Sequence, residues 1–143
     1  MKIAIGADHA GVNCKNQIAE MLLGLGHEVE DMGTADETPV DYPDFAAKVA
    51  GAVAEGRAER GILVCGTGIG MSMSANRIRH VRAALCVDEK AAEISRRHND
   101  ANVLCLGGRT QSLDDVSRIV NVWLETPFDG GRHAQRVAKI DGK

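Results

Sequence analysis

Aromatic side chains are scarce. Phe, Tyr and Trp make up 3% of the 143 residues, which leaves little with which to stack nucleobases as single-strand readers do. The interior must be assembled from Val, Ile, Leu, Ala and Met, as in a sheet covered by helices on both faces. No long basic run is present and the formal net charge is −3, so neither nucleic acid nor an anionic membrane is expected as a partner. The apolar stretch within MKIAIGADHAG is too short for a secretion signal or a membrane span, and a cytoplasmic location is expected. Cys14, Cys65, Cys86 and Cys105 lie far apart with no CxxC pair. That removes the signature of zinc ribbons and thioredoxin-like redox sites and predicts free thiols in a reducing compartment. The five histidines fall in no HxH or HExxH pattern, so no metal site is expected.

Nucleotide fingerprints are missing too. Counting from Gly66 and Gly68, a GxGxxG motif requires glycine at position 71, which is Met71. The turn Gly6–Gly11 has the outer glycines, and Asp31 follows at the spacing of a ribose-binding acid. Its middle position is Asp8, whose negative side chain would stand where a pyrophosphate must approach. No GK[ST] occurs, which excludes a Walker loop.

What is present is alternation. Short apolar runs at Lys2–Ala7, His27–Asp31, Gly61–Cys65, Val81–Val87 and Val103–Leu106 read as strands. Between them lie helical patterns: Gly11–Leu25, closed by Gly26; a helix capped by Asp44 and reaching about Glu55; one reaching about Ile78 out of the turn Gly66–Gly70; and Asp88 to about His98. Ser112 caps a long helix to Leu124, and Arg132–Ile140 is a short tail helix. Residues Met32–Pro43 read as a loop. The order predicts one α/β domain with a parallel sheet and right-handed crossovers. The tail after Pro127 has too few apolar residues for a core of its own and must pack on the domain or on a second subunit.

Ligands of open parallel sheets bind beyond the carboxyl ends of the strands. Asp8-His9, Cys65-Gly-Thr-Gly-Ile-Gly, Gly107-Gly108-Arg109 and His98-Asn99 are read as gathering on that one edge. The glycines after Cys65 let backbone N–H groups approach an anion, and a following helix would favour negative charge there and ionisation of the thiol. The plain alternative is a tight strand-to-helix turn beside a buried cysteine. Asp8-His9 reads either as a polar loop start or as a pair that binds sugar hydroxyls or phosphate, and His98-Asn99 either as a helix end or as a proton shuttle near neutral pH. Arg132 and Arg136, four apart, share a helix face. With Arg109 they form a candidate phosphate grip, or simply a solvated surface. Met71 and Met73 read as core fillers, Arg96-Arg97 as a solvated face, and Cys14, Cys86 and Cys105 as packed thiols.

GADHAG, DYP at Asp41–Pro43, CGTGIGMSMSANR from Cys65, RRHNDANVLCLGGR from Arg96 and GGRHAQRV from Gly130 together resemble the ribose-5-phosphate isomerase B family, which also holds allose-6-phosphate and galactose-6-phosphate isomerases. The likeness runs nearly end to end. It implies a three-layer α/β/α sandwich around a five-stranded parallel, Rossmann-like sheet, no metal or organic cofactor, and a homodimer or dimer of dimers whose sites are shared between subunits, the tail packing on the partner. It implies that Cys65 is the base of an aldose–ketose isomerase, that Thr67 and the backbone of Gly66, Gly68, Ile69 and Gly70 form an anion hole, and that His98 opens the sugar ring. Asp8, Tyr42 and Asn99 would contact sugar oxygens, and His9, Arg109, Arg132 and Arg136 would hold phosphate. Ribose 5-phosphate is the expected substrate. Another sugar phosphate (allose 6-phosphate, galactose 6-phosphate or a tetrose phosphate), or a non-catalytic sugar-phosphate-binding subunit, is the alternative.

Overall fold

The computed structural model describes Met1–Lys143. Five strands, β1 (Lys2–Ala7), β2 (Glu28–Asp31), β3 (Arg60–Cys65), β4 (Ala83–Leu85) and β5 (Val103–Gly107), form one sheet in the order β2-β1-β3-β5-β4, every pair parallel. Their side chains alternate between two cores, as the pleat requires. Ile3, Ile5, Ala7, Ile62, Val64, Leu104 and Leu106 point to one face. Ala4, Leu63, Cys65, Val103 and Cys105 point to the other.

The first face is covered by α1 (Val12–Gly24), α4 (Glu89–Arg97) and α5 (Leu113–Glu125), through Cys14, Ile18, Leu22, Ala92, Val116, Ile119 and Trp123. The second is covered by α2 (Tyr42–Ala54) and α3 (Ile69–Ala75), through Ala46, Val49, Ala50, Val53, Met71 and Ala75. The result is the expected three-layer sandwich. A sixth helix, α6 (Arg132–Ile140), closes the chain.

Local chemistry sets the ends of the elements. Ser112 and Asp88 accept from the amides of Asp115 and Ala91 and so cap α5 and α4. Gly26, at φ +87°, follows α1. Three elements differ from expectation, the first being β4, which spans only Ala83–Leu85 of the expected Val81–Val87. Helix α2 begins at Tyr42, with Asp41 as its first flanking residue and Pro43 in its first turn, so Tyr42 is helical and not part of the loop. Helix α3 stops at Ala75, three residues early. There the Asn76 side chain turns to β4, donating to the Ala83 carbonyl at 2.9 Å and accepting from the Ala83 amide at 2.8 Å.

Asp31, the acid at the dinucleotide-type spacing, is committed elsewhere: Lys15 on α1 donates to it at 2.6 Å. Arg96, read as solvated, is buried, with Nε on the Thr126 carbonyl and Nη1 on the Ala101 carbonyl and Asp100. No helix is long and apolar enough to cross a membrane.

Candidate active site

After β2 the chain crosses over β1 to build β3, so the loops leaving β1 and β3 diverge to opposite faces of the sheet. The crevice between them is where parallel sheets bind ligands. Asp8-His9 lies on one side and Cys65 on the other. A cavity of about 390 Å³ opens there, lined by Asp8, Tyr42, Cys65, Gly66, Thr67, Ile69, Gly70 and Met73.

Cys65 is 4% exposed and is one of the residues lining the cavity. The Gly68 amide donates to Sγ at 3.2 Å, a contact that strengthens when the acceptor is charged. Gly68 itself has φ +81°, and a Cβ there would meet the Leu106 backbone at 3.0 Å. The turn that aims this amide therefore accepts only glycine. The Ile69 amide donates to Thr67 Oγ1 at 3.2 Å, which leaves the threonine hydroxyl proton free to face the cavity. The amides of Gly70 and Met71 sit in the first turn of α3 and have no intrahelical partner. With only seven residues in α3, the directed amides, more than a long helix field, make this end receptive to an anion.

Tyr42 covers the cavity with its ring against Gly70. Asp8 is buried and turns Oδ1 to the amides of Ala10 and Gly11, at 3.0 and 3.2 Å. A second hollow of about 420 Å³, lined by His9, Val40, Asp41, Pro43 and Asp44, shares Asp8 and Tyr42 with the first. His9 Nδ1 accepts from the Val40 amide at 3.1 Å, which leaves Nε2 as the ring donor. The Arg109 side chain passes over Gly66, 3.7 Å from where a Cβ would stand. Asp8, His9, Tyr42, Cys65, the Gly66–Gly70 loop and Arg109 are thus brought together. Met73, expected in the core, is 69% exposed and lines the cavity. Nothing in its spacing distinguishes it from the buried Met71.

The remaining four candidates are not brought to this place, which corrects the expectation of a single edge. A helix between parallel strands runs back to the strand starts, so the end of α4 lies beside Val103, which pairs with Gly61 and Ala83. His98 and Asn99 therefore sit at the edge opposite Cys65. Helix α6 is docked on them. The Asp129 amide donates to the Arg97 carbonyl at 3.0 Å, Arg97 Nε donates to both Asp129 oxygens at 3.2 Å, and Arg82 Nη1 grips Asp141 at 2.8 Å. The His133 ring stacks on His98, with centroids 4.3 Å apart and planes 10° apart. Arg132 and Arg136 are exposed on the same helix.

His98, Asp129 and His133 place ligand-type atoms within 4.8 Å of one another, a grouping the scattered sequence positions did not reveal. Arg97 occupies both carboxylate oxygens, and parallel rings do not converge their lone pairs on a point. Partial burial, and then the charges of His98, Arg132 and Arg136, hold the His133 imidazole below the ordinary histidine value, against the opposite pull of Asp129. Burial pushes the Cys14 and Cys86 thiols up to about 11 and Cys105 higher still.

A thiol over main-chain donors at the switch point of an open parallel sheet defines an α/β enzyme site for a small anionic substrate. Comparison with known proteins makes this specific: residues 3–140 match the ribose/galactose isomerase family, and the chain belongs to that family. Ribose-5-phosphate isomerase B of Escherichia coli is 46% identical over 139 residues, 97% of this chain and 93% of that protein. D-erythrulose-4-phosphate isomerase of Pectobacterium atrosepticum is 42% identical over 142 residues, 98% of this chain and 93% of its own. The structure of Clostridium thermocellum ribose-5-phosphate isomerase B superposes with a TM-score of 0.98 at 52% identity, covering 99% of this chain and 96% of that one.

Proposed function

We propose that this chain interconverts ribose 5-phosphate and ribulose 5-phosphate, with Cys65 as the base and a second copy of the chain completing each site. The observation that carries the mechanism is Cys65 lining a cavity while its sulfur accepts from the Gly68 amide at 3.2 Å. The choice of pentose follows the named activities of the Escherichia coli and Clostridium thermocellum relatives.

The aldose arrives as a closed ring. His98 of the partner subunit moves the proton between O1 and the ring oxygen, and the chain opens. Cys65, as thiolate, takes the C2 proton. The C–H electron pair forms the C1–C2 double bond, and the carbonyl oxygen becomes an enediolate oxyanion. Thr67 and the amides of the Gly66–Gly70 loop receive that charge, an effect of about 3–4 kcal/mol per donor. The O2 hydroxyl proton then passes to O1, the O2–H electron pair forms the C2 carbonyl, and the same thiol returns the carbon-bound proton to C1, so no oxidant or cofactor enters the balance. Asp8, Tyr42 and Asn99 orient the hydroxyls, and His9, Arg109, Arg132 and Arg136 hold the phosphate.

The separation of Cys65 from His98 within one chain supports a shared site. A homodimer brings the strand-start edge of one copy, with its tail helix, against the cavity of the other, and a dimer of dimers repeats the contact. A cytoplasmic setting suits four free thiols. The Pectobacterium atrosepticum relative favours a tetrose phosphate as second reading. A cofactor-free assay of ribose 5-phosphate beside erythrose 4-phosphate and allose 6-phosphate tests both. Highest kcat/KM on the pentose supports the first reading, and turnover of none overturns both.

A further inference from the structure

We infer that His133 is a positioning residue for the reaction: its ring, stacked face to face on His98, fixes the plane of the proton-shuttling imidazole and supplies a neutral surface beneath it. This deepens the proposed function and rests on the role given there to His98.

His98 is the last-turn flank of α4 and has no covalent reason to hold one orientation. His98 is only half-buried, whereas His133 is 9% exposed. The better-fixed ring therefore orders the freer one. His133 is fixed in turn from below. Its amide donates to the Gly130 carbonyl at 3.0 Å, and Asp129, just before it, is clamped by Arg97 through backbone and side chain alike. This lash joins two functional parts into one unit: His98 and Asn99 at the end of α4, and Arg132 and Arg136 on the exposed side of α6.

Charge gives the second half of the argument. Groups facing His133 are His98 and Arg97 from α4, Asp129 from the preceding loop, and Arg132 and Arg136 from its own helix. Four of these five are cations or become cations, so the second proton on a pair of rings 4.3 Å apart is opposed. The proton goes to one ring, and a cationic ring is attracted to the face of a neutral one. With His133 neutral, His98 is free to carry the proton that ring opening requires.

The test is steady-state kinetics on full-length His133→Ala and His133→Phe, with Arg132→Ala beside them. His133→Ala should lower kcat roughly tenfold to a hundredfold with KM little changed, the cost of a misplaced reacting group. His133→Phe keeps a neutral face and should recover most of that loss. Arg132→Ala should move KM instead. A kcat for His133→Ala within about twofold of wild type, or a Phe variant no better than Ala, overturns the inference while leaving the isomerase reading intact. An inactive wild-type protein overturns that reading instead. If the variants fail to fold, NMR titration of the wild-type histidines decides: His133 neutral at about pH 6.5 supports the inference, and His133 protonated there overturns it.

Discussion

The ring of Tyr42 lies flat against Gly70: a Cβ on that glycine would stand 2.5–2.7 Å from three ring carbons. One helix start, that of α2, is thereby keyed to the anion loop that opens α3. Gly70→Ala must push the tyrosine out over the cavity or away from it. Tyr42 is 38% exposed and has solvent to move into, so the fold should survive with little change in melting temperature. Activity should not. A displacement of about 1 Å in a substrate-positioning group costs on the order of a hundredfold, and kcat/KM should fall toward that. Tyr42→Phe, which keeps the ring and removes only the hydroxyl, should raise KM with a smaller loss of kcat. Gly70→Ala at wild-type kcat/KM would show that the ring orders nothing.

The four thiols should separate chemically. Burial pushes Cys14 and Cys86 up to about 11 and raises Cys105 as well, so at pH 8 these three are protonated. Cys65 alone faces a cavity and an amide donor. Iodoacetamide at pH 8 should modify Cys65 first, with loss of activity in step, and ribose 5-phosphate should protect it. Cys65→Ala should lose several orders of magnitude in kcat yet retain phosphate binding. Mass mapping that finds Cys14 or Cys86 labelled before Cys65 would count against the site.

The same thiols set an alkaline limit. In the unfolded chain Cys14 and Cys86 ionise near their ordinary value of 9.0, whereas folded they hold their protons to about 11. Above pH 9 the unfolded state thus binds fewer protons than the folded one, and stability falls as pH rises. Urea midpoints should be flat from pH 7 to 8.5 and decline between pH 9 and 11. Replacing Cys14 and Cys86 by Ala should flatten that decline.

Much of this was legible in the sequence, and what escaped has physical causes. Apolar runs gave the strands, because a sheet buried on both faces leaves no polar side chain in β1 after Lys2, in β3 after Arg60 or anywhere in β5. The glycines after Cys65 announced a close backbone approach, and Gly68 at φ +81° against Leu106 is that approach. The edge on which His98 lies was misread, because a residue late in a helix is near the next strand in sequence but at the far end of the present one in space. The His98–His133 stack joins residues 35 apart with no shared period, and Met73 looks like any core methionine until the end of α3 is known.

Lys15 is 2% exposed and its only anionic partner is Asp31, at 2.6 Å. Asp31 also accepts the Gly33 amide at 2.9 Å, so it ties α1 and β2 to the loop beyond the sheet edge. Asp31→Ala strands a buried ammonium. The expected loss is about 3 kcal/mol, the low end for breaking a buried pair, since the carboxylate is itself half exposed. Lys15→Met removes the charge with the partner's need for it and should cost less. The double variant should be more stable than Asp31→Ala alone, which a urea-unfolding cycle measures. A double-variant loss equal to the sum of the two single losses would mean that the pair is not coupled.

The division of the candidate residues between opposite sheet edges makes a prediction about assembly. Cys65→Ala and His98→Ala should each be inactive alone. In a symmetric dimer with shared sites, a mixed dimer of the two variants has one site with both residues intact and one with neither. Refolding or co-expressing them in equal amounts gives half mixed dimers, and recovered activity should be about a quarter of wild type. Arg132→Ala mixed with Cys65→Ala should likewise yield mixed dimers with one intact site, read as recovery of a wild-type KM, because Arg132 rides with His98 on the docked α4–α6 unit. Arg109→Ala mixed with Cys65→Ala should recover nothing, because Arg109 passes over Gly66 in the same half-site as the thiol. Recovery in this last pair, or none in the first, would show that each chain completes its own site.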